Sequence, residues 1–260
     1  MRIAKTALVV LALTLLTGAL VLAHDNLTGE EIIEQLKSDM ALTGSGHAVL
    51  DLITENKRGD RREHGLVLFR SDDGNTEKQL VEYTSPADVR GTKFLSIYDA
   101  GKDETEMWLY LPALGRERRI AGHMTKGSFM GTDFTYEEIA GFSSYSDDYE
   151  AVRLADEEFD SRKCYVLDLT PTSDDIDYSK VKMWVWQEEM MPLRLDFFNA
   201  DGQLSKRLLL SDFRQDSQGR YSPYNITMSN ELEGTKTIVI IRETYEEVDD
   251  SYFTMRYLRQ

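Results

Sequence analysis

Cysteine is almost missing from this chain: Cys164 is the only one in 260 residues. No internal disulfide and no Cys-x-x-Cys redox or zinc pair can form without a partner thiol. Within Lys163-Cys164-Tyr165-Val166-Leu167 it reads as a small buried strand residue. Histidine is nearly as scarce. His24, His47, His64 and His123 are scattered, with no His-Glu-x-x-His and no pair at i,i+4 spacing. The usual arrangements for a transition metal are therefore missing. Positive charge is in short supply too, with 30 basic against 46 acidic residues. A surface of that sign repels nucleic acid and anionic membranes, so nucleic-acid binding is excluded. The chain also shows no internal repeat, low-complexity segment or linker that would divide it.

One long apolar run does occur, and it stands at the very start. Arg2 and Lys5 precede a stretch from Ala7 to Leu22 broken only by Thr14, Thr17 and Gly18. Val21-Leu22-Ala23 then offers compact side chains at the −3 and −1 positions of a cleavage site. A charged start, a short apolar centre and that ending predict a secretory signal over residues 1–23, cut after Ala23. The alternative is an uncleaved anchor, for which the run is short against the roughly 20 apolar residues a bilayer needs. No cysteine lies near the cut, so lipidation there is excluded. Removing Arg2 and Lys5 leaves 28 basic against 46 acidic residues, a net charge of −18 for residues 24–260. That length suits one sizeable core without a second domain.

Helical signals are few. Thr28-Gly29-Glu30-Glu31 is a capping box, and Ile32, Ile33, Leu36 and Met40 follow at helical spacing, predicting a helix over 29–41 ended by Gly44 and Gly46. Thr135-Tyr136-Glu137-Glu138 is a second capping box, opening a short helix that ends near Gly141 within a loop-rich stretch from Gly122 to Tyr149. The last residues, Asp249 to Leu258, read as a final helical turn. Elsewhere short runs of Val, Ile, Leu and aromatics alternate with Gly, Asp and Asn. They predict strands near 47–55, 63–71, 78–84, 91–99, 104–112 and 115–121, then 150–158, 162–170, 179–187, 192–199, 203–213, 220–231 and 235–246. The connections are too short for crossover helices, so neighbouring strands run antiparallel in a long meander.

Several of these strands are apolar on both faces. Met107, Leu109 and Leu111 share one face while Trp108 and Tyr110 take the other; Met183 and Val185 oppose Trp184 and Trp186. Ile238-Val239-Ile240-Ile241 repeats the pattern. A strand with one wet face alternates apolar and polar. With so little helix to cover them, some of these faces must close on themselves or cover an apolar partner. Eight methionines outside the signal and first helix add adaptable apolar surface, with ordinary core packing as the plainer account of each.

Catalytic patterns are wanting. Gly127-Ser128-Phe129-Met130-Gly131 lacks the spacing of a nucleophile elbow, and His123, Ser128 and Asp133 form a triad only by loose proximity. Asp147-Asp148 and Asp174-Asp175-x-Asp177 offer clustered oxygens without an EF-hand spacing, and read as solvated loop carboxylates. Arg116-Glu117-Arg118-Arg119, with Lys126 beyond, is the one local inversion of charge. It is either an electropositive lip for phosphate or carboxylate or a set of partners for the surplus acids. Alternation puts Arg116 and Arg118 on one face and Arg119 on the other.

The order of these features resembles the outer-membrane lipoprotein-sorting (LolA-like) family, and more closely its larger bacterial branch. The resemblance is carried by Trp108-Leu109-Tyr110-Leu111-Pro112, Arg119-Ile120, Ser128-Phe129-Met130-Gly131-Thr132-Asp133, Tyr136-Glu137-Glu138 and Phe253-Thr254. It implies a mainly β fold: a single curved antiparallel sheet forming an unclosed β-barrel, with an N-terminal helix and a few short helices covering the concave face. It further implies a periplasmic carrier of lipid or lipoprotein acyl chains, without catalytic residues, metal or cofactor. Some relatives accompany lipid exporters of the resistance–nodulation–division type. On that footing Met107, Leu109, Leu111, Met183 and Val185 are expected to line the acyl cavity, and Arg116 and Arg118 to stand at its rim. Two other classes compete: a lipid-sensing regulator or adaptor of a membrane partner, and a lipid hydrolase using the 122–133 loop. An anti-sigma factor encoded nearby favours the sensor, and ester hydrolysis abolished by Ser128→Ala favours the enzyme.

Overall fold

The computed structural model describes residues 27–40, 45–140, 148–173, 175–216 and 219–260. The expected signal over 1–23 lies outside these residues, as do Gly141, Asp147 and Asp174. Helix α1 (Gly29–Met40) opens the described chain. Both halves of its capping box form: Glu31 N–H donates to Thr28 Oγ1 at 3.2 Å, and Thr28 N–H donates to Glu31 Oε2 at 2.8 Å. Six strands follow: β1 (Gly46–Glu55), β2 (Arg61–Asp72), β3 (Thr76–Ser85), β4 (Lys93–Asp99), β5 (Glu104–Leu111) and β6 (Arg116–Ile120). After the five-residue α2 (Tyr136–Ala140) come β7 (Tyr149–Arg153), β8 (Glu157–Phe159), β9 (Arg162–Pro171) and β10 (Lys180–Trp186). Then follow β11 (Met191–Phe198), β12 (Leu204–Gln215), β13 (Tyr221–Asn230) and β14 (Thr235–Tyr245). A 3₁₀ turn (Asp250–Phe253) and α3 (Met255–Leu258) finish the chain.

The expected strands fall within a few residues of these, with one difference. The predicted strand over 150–158 is two. β7 pairs with 167–171 of β9 and β8 with 162–164; between them Asp156 accepts from the side chain of Arg153, the last residue of β7, which also donates to the Leu27 carbonyl.

All fourteen strands form one antiparallel sheet in the order β6-β5-β4-β3-β2-β1-β14-β13-β12-β11-β10-β9-β7, with β8 beside β9. Two meanders are thus joined by pairing β1 with β14. The sheet does not close, and its free edges are β6 and β7. β6 exposes Arg116, Arg118 and Arg119, charges of the kind that discourage edge-to-edge association. Because β6 and β7 stand at opposite edges, the chain between them has to pass across the sheet. We call its described part, residues 121–140, the strap.

The double-faced strands find cover on both sides. On the concave side, Ile32, Ile33 and Leu36 of α1 pack on β9–β13, and Phe129 of the strap packs on β1–β6. On the convex side, Trp108 and Tyr110 lie under Phe253, Leu258 and their neighbours from the C-terminal turn and α3. That segment is tied down by Lys93, whose Nζ donates to the Tyr257 carbonyl, and by an Arg259–Glu117 pair. Trp184 and Trp186 are packed with Cys164, Val166 and Leu193. Cations roof them: Lys182 and Arg194 over Trp184 at 4.6 and 4.4 Å, Arg162 over Trp186 at 4.8 Å. Cys164 is fully buried, as its setting in the sequence predicts, and burial pushes its thiol up to about 11. Among the described residues no helix is long and apolar enough to cross a membrane.

Candidate functional site

The concave face is where the predicted lining residues meet. On β5 the alternation holds: Met107 and Leu109 are buried, Leu111 is half-buried, and all three pack in the cluster around Phe94, Val81, Tyr83 and Phe129. Burial also raises the Tyr83 phenol above its ordinary value. Met183 and Val185 of β10 belong to a second cluster with Tyr165, Leu167, Leu195 and the apolar face of α1. Ile139 and Val239 pack against both clusters and make one continuous apolar layer of them. Met107, Leu109 and Met183 retain 5–6 % of their exposure and Val185 none, so in this structure the layer is filled by α1 and the strap.

The strap sets Phe129 and Phe134 into the apolar clusters and is otherwise fastened by polar contacts. Asp133 accepts hydrogen bonds from the Thr235 and Thr237 hydroxyls of β14, while its own N–H donates to Thr237 Oγ1 at 2.9 Å. Glu138, at 5 % exposure, gathers three donors: Thr135 N–H at 2.7 Å, Tyr178 O–H at 2.6 Å and Lys206 Nζ at 3.1 Å. Gln79 of β3 donates to the Ile139 carbonyl at 2.8 Å. Lys126 donates to Asp177 Oδ1 at 2.7 Å and to the Asp175 main-chain carbonyl, so the Asp177 carboxylate serves the strap. Apart from the Thr135 bond, which is internal to the strap, these bonds reach β3, β12, β14 and the loop before β10, and none lies in a regular ladder.

His123, Ser128 and Asp133 do not assemble. Ser128 Oγ donates to the Thr132 carbonyl at 2.6 Å, Asp133 is taken by the β14 threonines, and His123 is exposed.

The basic segment divides as alternation predicts. Arg116 pairs with Leu111 and Arg118 with Leu109, so both stand on the concave side of the edge strand. Neither forms an ion pair among the described residues; Arg118 donates to Met124 Sδ at 2.9 Å. Arg119, on the convex side, lies over Trp108 and near Glu104 and Glu106 at 3.5 and 3.8 Å. Of the three arginines, Arg119 is thus the one that meets surplus acids of the neighbouring strand. Asp133, Glu138, Lys206 and Tyr178 were not legible as a group: Glu138 shows in sequence only as a cap, and Lys206 lies 68 residues away.

Comparison with known proteins follows the same outline. A family model described as an uncharacterized protein matches residues 75–260. A Vibrio parahaemolyticus domain described as an outer membrane lipoprotein-sorting protein superposes with a TM-score of 0.81 at 27 % identity, covering 89 % of this chain and 98 % of its own. A DUF1329 family protein from Desulfovibrio piger gives 0.81 at 25 %, covering 88 % and 97 %. A LolA superfamily protein from Nitrosomonas europaea shares the fold, with a TM-score of 0.68 at 22 % identity over 89 % of this chain and all of its own. No curated protein matches the chain.

Proposed function

Because the chain belongs to the outer-membrane lipoprotein-sorting, LolA-like family, we propose that it is a non-enzymatic periplasmic carrier. It holds the acyl chains of lipids or lipoproteins against its concave face and delivers them toward the outer membrane. The observation that carries this reading is how that face is closed. A continuous apolar layer, including Met107, Leu109, Leu111, Met183 and Val185, is covered by α1 and by a strap that seats Phe129 and Phe134 in it and is tied to the sheet by side-chain hydrogen bonds, not by a strand ladder. A cover attached in this way can lift without unravelling the sheet, whose own ladders are continuous. An acyl chain then replaces strap and α1 side chains, exchanging one apolar neighbour for another. Arg116 and Arg118 stand beside Leu111 and Leu109 on the concave side, where a lipid phosphate or the rim of an acylated protein meets them.

The carrier works as residues 24–260 after removal of 1–23. The intact mass of the periplasmic form should correspond to that span, and the full-length chain in the membrane fraction would mean an anchor. The deciding experiment is mass spectrometry of organic extracts from protein purified out of its native periplasm. Co-purified lipid is expected. Protein that carries none and takes up no fluorescent fatty-acid probe would refute the carrier.

A further inference from the structure

The connection between β5 and β6 is a short exposed turn at one end of the open edge. Pro112, Ala113, Leu114, Gly115 and Arg116 are all exposed, and Leu114 keeps 60 % of its surface in water. Gly115 closes the turn in the left-handed region, at φ 59°, its N–H donating to the Leu111 and Pro112 carbonyls. A second turn lies alongside: the Cβ that Gly91 lacks would stand 3.4 Å from Pro112 Cγ. This neighbour brings exposed Arg90, which donates to the Thr84 carbonyl and makes no ion pair among the described residues.

A large exposed leucine therefore lies two residues before Arg116, in a turn that touches the one carrying Arg90, and neither arginine forms an ion pair among the described residues. The nearby acids do not cancel them: Glu117 is taken by Arg259 and Glu82 by Tyr257, leaving exposed Asp88 in the Arg90 turn. In a chain whose charge is −16 overall, this end is a local reversal of sign around an apolar point.

We propose that this tip is a docking point for an anionic lipid bilayer, with Leu114 entering the headgroup–acyl boundary and Arg90 and Arg116 meeting lipid phosphates. The proposal builds on the carrier reading and adds where the carrier meets its membrane. Charge complementarity selects the partner. The acidic body is repelled by an anionic surface and screened beyond a Debye length, about 8 Å at physiological salt, so approach is favourable only tip-first. Orientation follows as well. Strands rise about 3.3 Å per residue, which sets Arg118 only some 7 Å behind Arg116. A bilayer touching the tip thus lies next to the concave rim through which a lipid would pass. With one leucine and two arginines the contact is weak and reversible, as a carrier that must leave again requires.

The test is co-sedimentation of the purified protein with vesicles of phosphatidylglycerol and phosphatidylcholine in equal amounts, against phosphatidylcholine alone, at low and high salt. Binding is expected to the anionic vesicles only and to vanish at high salt. Leu114→Ser should weaken it about fivefold, the scale for returning a partly buried leucine to water. Arg90→Gln should weaken it to a similar degree. Leu114→Ser should leave uptake of a soluble neutral acyl probe unchanged. Equal binding to both vesicles, or wild-type sedimentation by Leu114→Ser, overturns the proposal. So does no binding to either, which would point the tip to an acidic protein instead. Failure of the carrier reading shows separately, as loss of acyl-probe uptake by the wild type.

Discussion

Glu138 offers the sharpest test of the strap as a detachable cover. Its two carboxylate oxygens serve three donors, the Thr135 amide, the Tyr178 hydroxyl and the Lys206 ammonium. Glu138→Gln keeps the shape but leaves one accepting oxygen and puts an NH₂ group against a donor. At least one donor is then unpaired, and the buried Lys206 charge, at 15 % exposure, loses its counter-ion. Removing one partner of a buried pair costs about 3–5 kcal/mol, and the partial exposure of Lys206 favours the lower end, about 3 kcal/mol. If that energy holds the strap closed, its opening equilibrium rises on the order of a hundredfold, since each tenfold step is about 1.4 kcal/mol. Hydrogen exchange read by mass spectrometry should then show faster exchange for amides of residues 124–139, with β12–β14 protected as before. Uptake of a fatty-acid probe should quicken in parallel. Lys206→Met added to Glu138→Gln should restore part of the loss, because the stranded cation is gone. Uniformly faster exchange across the sheet, or an unchanged strap, would refute the argument that Glu138 latches a separable cover.

Other outcomes follow from the same geometry. Leu109→Asp places an unpaired carboxylate within the concave layer, at a cost of several kcal/mol, and should reduce probe binding or stability more than Tyr110→Asp on the half-buried convex side; the reverse order would reverse the assignment of faces. Arg116→Gln with Arg118→Gln should weaken an anionic phospholipid several-fold at low salt and hardly affect a neutral acyl probe, whereas equal losses would place the rim elsewhere. Burial alone would raise the Asp196 carboxyl, but hydrogen bonds from Arg194 and Arg207 outweigh it and hold the group below its ordinary value. That stabilisation is complete above the unfolded aspartate value, about 4, and is lost as pH falls through the lowered folded one. Asp196→Asn should therefore depress Tm by several degrees at neutral pH, with the gap to wild type closing below about pH 4; a gap that persists in strong acid would mean the loss is not electrostatic.

Much of this protein was written in short-range pattern. Turn residues and period-two alternation placed the strands within a few residues, because both are set by neighbours in sequence. The same alternation put Met107, Leu109 and Leu111 on one face and separated Arg116 and Arg118 from Arg119. Two capping boxes, Thr28–Glu31 and Thr135–Glu138, predicted bonds that form on both sides. The double apolar faces announced that both sides of the sheet are covered, though not by what. Tertiary structure decided the rest. Pairing β1 with β14 leaves β6 and β7 as open edges, and that choice depends on strands nearly two hundred residues apart. It forces the strap across the concave face, where Asp133 meets Thr237 over 104 residues and Glu138 meets Lys206 over 68. No local pattern encodes such meetings, because each side chain is an ordinary cap or loop residue until the sheet has curved and brought its partner within reach.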